Sequence, residues 1–249
     1  AYFEWVITLF MFLAGTNFAL HFLALRGDLG AWWRNEEFRF YAKLLALAVM
    51  VAAAFLFSSG TYGSFSDSIR YGAFQVVSIV TTTGFVTADF GLWPNFLQFL
   101  LLLLMFAGGC AGSTVGGIKS MRIMVLGKHV KTELQRLLHP KAIFTVRVGG
   151  KVLEREDISS VTAFFVMYVG LFALAALVMA ALGLDVLTAI ASAAAAIGNI
   201  GPALGSVGPS SNYAHIPAAG KWVLSFCMLL GRLEIYTVMM LFLPGTWKR

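Results

Sequence analysis

Apolar residues in this chain run in unbroken blocks, without the two-residue alternation of a membrane β-barrel strand. A helix needs about 20 apolar residues to cross about 30 Å of hydrocarbon. Five blocks predict such helices: residues 2–25, 42–57, 96–107, 161–184 and 222–243. The first is interrupted by Glu4 and by Gly15-Thr16-Asn17; the third is short and runs into glycines; the fifth carries Arg232 and Glu234 in its middle. Two more blocks, 68–80 and 185–197, are too short to cross. About 13 residues at about 1.5 Å each reach only about 20 Å.

Composition fixes the class. Of 249 residues, 59% are apolar and 12% charged, against about 45–50% and about 25% in a soluble domain. Mean hydropathy is +0.82. Too little polar surface remains to wet a globule, which argues against a soluble enzyme, a nucleic-acid binder or a disordered chain. The expectation is an all-α polytopic membrane protein. Cys110 and Cys227 both lie in apolar blocks and imply no disulfide framework. The first residue is alanine and no charged segment precedes an apolar core, so we read no signal peptide and expect a start inside a longer polypeptide, or one that has been removed.

Charge orients the helices. Residues 26–43 hold four basic side chains and residues 119–155 hold nine, while Lys248 and Arg249 close the chain. The connections 58–95 and 185–221 hold only Arg70 and Lys221. The positive-inside rule therefore places the basic segments, and the C-terminus, in the cytoplasm. The net charge of +6 reflects topology and contact with anionic lipid. Within the second basic segment, short β-prone runs flank Gly149-Gly150 and read as a hairpin. A solvated connector and a docking surface for a cytosolic partner both fit it.

The two outer connections are built alike. Each contains one of the short apolar blocks, then a glycine-containing turn: Thr81-Thr82-Thr83-Gly84-Phe85 in one, Gly198-Asn199-Ile200-Gly201-Pro202 in the other. Each then climbs through polar, proline-containing sequence into a spanning block. The order span, half-helix, glycine turn, span thus occurs twice, an internal duplication. Irregular backbone at membrane depth is tolerated only where it is buried in protein or lines a water-filled cavity. A half-helix ending there aims its C-terminal partial negative charge at the cavity, which favours a cation. Carbonyls of the following turn can replace the hydration shell of a monovalent ion. Neither turn carries a carboxylate, which a divalent ion would favour. Ordinary re-entrant loops plugging a helical bundle remain the alternative.

At these residues the sequence resembles the C-terminal half of the TrkH-type members of the Trk/Ktr/HKT superfamily of potassium uptake proteins. The resemblance rests on Thr81 to Phe85, Thr87-Ala88-Asp89-Phe90, Trp93-Pro94, Gly108-Gly109-Cys110-Ala111-Gly112-Ser113-Thr114 and Gly116-Gly117-Ile118-Lys119. It continues through His139-Pro140, Asn199-Ile200-Gly201-Pro202 and Gly231-Arg232-Leu233-Glu234. It implies four span–pore-helix–span repeats around one pore, of which two are complete here. Residues 1–41 are then the last span of a preceding repeat with a cytoplasmic linker. Residues 42–127 form a third-type repeat with a gate loop, 128–157 a cytoplasmic connector and hairpin, and 158–249 a fourth-type repeat. The end at Trp247-Lys248-Arg249 resembles a natural terminus.

By the same resemblance, filter carbonyls fall on Thr82, Thr83 and Gly84 in one repeat and on Asn199, Ile200 and Gly201 in the other. K+ is the transported ion and no cofactor is implied. The gate comprises Gly108, Gly109, Gly112, Ser113, Thr114, Gly116, Gly117 and Lys119, with a close-packing surface for neighbouring helices, a common use of small residues, as the alternative. Val115 and Ala203 stand where the family pattern suggests glycine. Arg232 is implied to project into the pore as an electrostatic barrier, or else to tie a neighbouring carbonyl or carboxylate. At i, i+2 it and Glu234 must face different surroundings. Lys119, at the inner mouth, reads more readily as a snorkelling lysine than as a gating residue, and Asp67 and Asp185 read as caps of the two half-helices. His21, His129, His139 and His215 show no metal spacing, and no catalytic constellation lies at membrane depth.

The implied function is potassium transport across the bacterial cytoplasmic (inner) membrane through a carbonyl filter. The implied partners are a second copy in a homodimer, a cytosolic nucleotide-binding regulatory ring of the TrkA type, and membrane lipid. A cation-coupled secondary transporter working by alternating access is the alternative, since broken helices also mark that class.

Overall fold

The computed structural model describes residues 1–247; Lys248 and Arg249, which close the basic pattern of the sequence, lie outside the described residues. The chain is helical apart from one two-stranded hairpin. Its helices are α1 (Tyr2–Ala14), α2 (Phe18–Leu25), α3 (Gly30–Arg34), α4 (Glu36–Ser58), α5 (Phe65–Val80), α6 (Asn95–Leu104), α7 (Ser120–Leu138), α8 (Arg155–Ala181), α9 (Val186–Gly198), α10 (Ala218–Arg232) and α11 (Ile235–Leu241). Strands β1 (Arg147–Val148) and β2 (Lys151–Val152) pair antiparallel across Gly149 and Gly150. Both glycines have positive φ, +57° and +80°, as a two-residue turn matched to strand twist requires. The hairpin read from the sequence is therefore present.

Local chemistry explains where the helices start. Asn35 caps α4 by accepting the Phe38 N–H at 2.9 Å, and Glu36 and Glu37 occupy the first turn, where carboxylates suit the helix dipole. Glu154 and Asp157 form a capping box at the head of α8. Asp185 caps α9, accepting the Thr188 N–H at 3.0 Å, and its hydrogen bonds with Thr188 hold its carboxyl below the usual range. The expectation that Asp67 caps α5 is corrected. The cap is Ser64, and Asp67 instead pairs with Arg70, whose other nitrogen pairs with Glu4 of α1.

The two half-helices form the centre. α5 packs against α4 and α1, and α9 packs against α8 and α10. Every residue from Gly72 to Val80 is buried, as is every residue from Ala191 to Gly198. Burial on all sides is why the deep half of α9 reads Ala-Ser-Ala-Ala-Ala-Ala: small side chains let neighbouring backbones close in.

The span count changes. Among the described residues, two helices cross a membrane by length and composition alone, α4 and α8. The blocks at 2–25 and 222–243 are each bent, by 104° between α1 and α2 and by 113° between α10 and α11. The third block stops as a helix at Leu104, ten residues after it begins. The breaks occur at Gly15-Thr16-Asn17, at the glycine-rich stretch after α6, and at Leu233-Glu234, where Glu234 has a φ of +62°. Each is a point where glycine, a side-chain cap or a polar group offers the backbone another partner.

Candidate functional site

The two glycine turns share one backbone design. After α5, the Thr82 N–H donates to the Ile79 carbonyl at 3.0 Å and the Thr83 N–H to the Ser78 carbonyl at 2.9 Å. After α9, the Asn199 N–H donates to the Ala196 carbonyl at 3.1 Å and the Ile200 N–H to the Ala195 carbonyl at 2.9 Å. Counted from each turn, the steps are identical. The dihedral pattern repeats as well: Thr82 (+50°) and Gly84 (+75°) in one turn, Asn199 (+57°) and Gly201 (+105°) in the other, are left-handed. The intervening Thr83 and Ile200 are not. The N–H groups turn back into their half-helices, and the carbonyls of Thr82, Thr83, Gly84, Asn199 and Ile200 accept no hydrogen bond among the described residues. The Gly201 carbonyl accepts the Tyr213 hydroxyl at 2.7 Å.

Side chains brace the first turn. Thr81 Oγ1 donates to the Val77 carbonyl at 2.7 Å and lies 2.8 Å from Thr83 Oγ1, and Ser78 Oγ holds the Phe85 carbonyl at 2.7 Å. The second is anchored by Asn199 Nδ2, which donates to the Met228 carbonyl of α10 at 3.1 Å. The two turns meet: a Cβ on Gly84 would overlap the Ile200 carbonyl oxygen. Gly231 sits as tightly on the other side, where a Cβ would overlap the Ile197 carbonyl.

Against the turns lies the stretch between α6 and α7, residues 105–119. It folds on itself through a parallel bridge between Ala107 and Ile118, and the Gly108 N–H donates to the Ile118 carbonyl at 2.8 Å. All the gate residues implied by the resemblance are brought together here. Gly116 touches the first turn directly, its N–H donating to Thr82 Oγ1 at 2.9 Å. Lys119 does not snorkel. Its Nζ curls back to the Ser113 carbonyl at 3.2 Å and to the Val115 carbonyl. Arg232 Nη1 donates to the Thr114 carbonyl at 3.0 Å and Glu234 pairs with Arg122 at 2.9 Å, but both line one cavity. The expectation of different surroundings is corrected, because the helix breaks at Leu233-Glu234 and Glu234 takes a φ of +62°. Arg122 also stacks 3.9 Å over the Phe164 ring of α8. A cavity of about 320 Å³ opens between the loop and the α10–α11 break, lined by Ser113, Thr114, Lys119, Tyr168, Arg232 and Glu234 among others. The break between α1 and α2 touches the same loop: the Cys110 N–H donates to the Gly15 carbonyl at 2.8 Å and the Phe18 N–H to the Gly112 carbonyl at 3.2 Å.

One residue at this loop escapes sequence reasoning. Glu37, 3% exposed, accepts two backbone N–H groups on a single carboxylate oxygen, from Ala111 at 2.6 Å and Met121 at 3.0 Å. In the sequence it is one more acid in a helix's first turn. Replacing Glu37 by alanine leaves both donors without their partner, at about 1–3 kcal/mol each when buried. Hydrogen exchange at Ala111 and Met121 should then quicken by at least about tenfold, with α9 amides unchanged. Equal rates in both proteins would show that the carboxylate does not hold the loop.

A family profile described as TrkH, a cation transport protein, matches residues 1–246. The Trk system potassium uptake protein TrkH of Salmonella typhimurium is 39% identical over 244 residues, covering 98% of this chain and 50% of the relative. The Trk system potassium uptake protein TrkG of Escherichia coli is 37% identical over 250 residues, covering 98% and 50%. The crystal structure of the potassium transporter TrkH from Vibrio parahaemolyticus superposes with a TM-score of 0.92 at 38% identity, over 98% of this chain and 53% of that one. The chain spans about half the length of the curated relatives it matches.

Proposed function

The chain belongs to the TrkH cation-transport family, and from that premise we propose that it supplies the third and fourth span–pore-helix–span units of a potassium-conducting membrane subunit. In this reading α4, α5 and α6 are the helices of one unit, and α8, α9 and α10 those of the next. The unit junctions at 41–42, 127–128 and 157–158 fall inside α4, α7 and α8, so each repeat shares a helix with its connector. The carrying observation is the pair of turns with the same alternating dihedrals and, Gly201 apart, carbonyls that accept no hydrogen bond among the described residues. Alternation turns successive carbonyls toward one side, and uncharged oxygens behind a half-helix C-terminus suit a dehydrated monovalent cation. Thr82, Thr83, Gly84, Asn199, Ile200 and Gly201 would bind K+. Residues 105–119 would gate it from the cytoplasmic side, and Arg232 would set a positive barrier below the filter. The intact protein would act in the bacterial inner membrane as a homodimer, with its C-terminus and a TrkA-like nucleotide-binding ring on the cytoplasmic face.

The test is flux in proteoliposomes of the intact protein. A potassium gradient alone should drive uptake, and excess sodium should compete weakly. Uptake that appears only when a proton or sodium gradient is added would favour the alternating-access reading, which the broken second spans also permit.

A further inference from the structure

Where α4 meets α7, four cations face one carboxylate. A groove of about 560 Å³ is lined by Arg39 and Lys43 of α4, by Lys128 and Lys131 of α7, and by Phe40, Ile123, Met124 and Gly127, with Glu36 at its edge. Glu36 is already engaged, by Lys128 and by the Gly149 N–H at 2.8 Å. Arg39, Lys43 and Lys131 have no side-chain partner among the described residues. All three are exposed. The groove thus holds a cationic surplus beside an apolar floor.

The same face of α4 continues as hydrocarbon-compatible surface. Counting about 100° per residue from Arg39, Lys43, Leu47, Met50, Ala54 and Phe57 all fall within one stripe about 80° wide. Leu47 is 66% exposed, Met50 62% and Phe57 51%. From Lys43 to Phe57 the stripe runs about 21 Å at about 1.5 Å per residue, longer than the roughly 15 Å of one leaflet. Basic pockets between spans on the cytoplasmic side recruit anionic head groups.

We propose that this groove is a binding site for one anionic phospholipid of the cytoplasmic leaflet. Its phosphate sits among Arg39, Lys43 and Lys131, and its acyl chains lie along Leu47, Met50 and Phe57. The inference rests on the membrane reading of α4 and not on potassium conduction, so a lipid readout that needs no flux separates the two.

The experiment uses the intact purified protein in detergent, offered equal amounts of phosphatidylglycerol and phosphatidylcholine, with bound lipid counted by native mass spectrometry. Phosphatidylglycerol should be retained in preference. Arg39→Gln/Lys43→Gln/Lys131→Gln should lower that preference by at least about tenfold, at about fivefold per surface charge with incomplete additivity. The charge-conserving variant Arg39→Lys/Lys43→Arg/Lys131→Arg should keep it. An unchanged preference in the glutamine variant overturns the site, as does a lost preference in the charge-conserving one. Soluble glycerophosphoglycerol should compete poorly for want of acyl chains. Displacement of the lipid at equal concentration would make this a phosphate site and overturn the lipid assignment.

Discussion

Replacing Arg232 by alanine is expected to raise potassium flux through the intact protein by about tenfold. The guanidinium lines the cavity between the loop and the α10–α11 break and holds the Thr114 carbonyl of the loop. Its removal acts twice in the same direction. On the proposed pore reading a fixed positive charge leaves the cation's route, worth about 1–2 kcal/mol at a partly solvated site, and the loop loses one tie to the α10–α11 break. Arg232→Lys separates the effects: it keeps the charge but lacks the planar fork that spans to a carbonyl. Flux near that of the parent in the lysine variant would assign the effect to charge. Flux raised equally in both would assign it to the tie. Flux unchanged or lowered in a folded alanine variant would end the barrier role.

Gly84→Ser is expected to abolish most discrimination between potassium and sodium, and Gly201→Ala to do far less. Both glycines sit at positive φ, where an L side chain costs roughly 1–2 kcal/mol. Only Gly84 has its Cβ position occupied, by the carbonyl oxygen of Ile200 in the opposing turn. A side chain there must push that oxygen aside, so one substitution disturbs both turns. At Gly201 the space a Cβ would enter is open, with no other atom within 4 Å, and the strain stays local. Competition between potassium and sodium in one uptake assay should show the ratio falling by about tenfold or more for Gly84→Ser. It should fall by only a few-fold for Gly201→Ala. Equal losses would mean that the close approach of the turns plays no part.

The contrast between these glycines could not be read from the chain. The half-helices were legible because a short apolar block ending in a glycine turn has few other fates at membrane depth. The hairpin was legible because Gly149-Gly150 between β-prone runs names its own turn. What a single sequence hides is the partner. Thr82 and Asn199 look like ordinary polar turn residues, yet both take left-handed φ and complete the alternation. The bends of the first and last spans depend on carbonyls and side chains far away in sequence, such as the Gly112 carbonyl that receives Phe18. Ser64 displaced Asp67 as the cap of α5, while Arg70 holds the Asp67 carboxylate and Glu4 of α1 together, a contact between residues far apart in sequence. The roles of filter, gate and barrier residues come from resemblance and geometry together, and flux through the variants decides them.

Glu36 and Glu37 are neighbours in the first turn of α4 with different loads. Glu36 carries the hairpin and α7, through Gly149 and Lys128. Glu37 carries the loop, through Ala111 and Met121. A force that pulls the hairpin sideways and takes this turn with it must also drag the one oxygen that holds the middle of the loop, at Ala111, and the first turn of α7, at Met121. The head of α4 is therefore a mechanical linkage: a single helical turn couples the hairpin and α7 to the loop whose Gly116 touches Thr82.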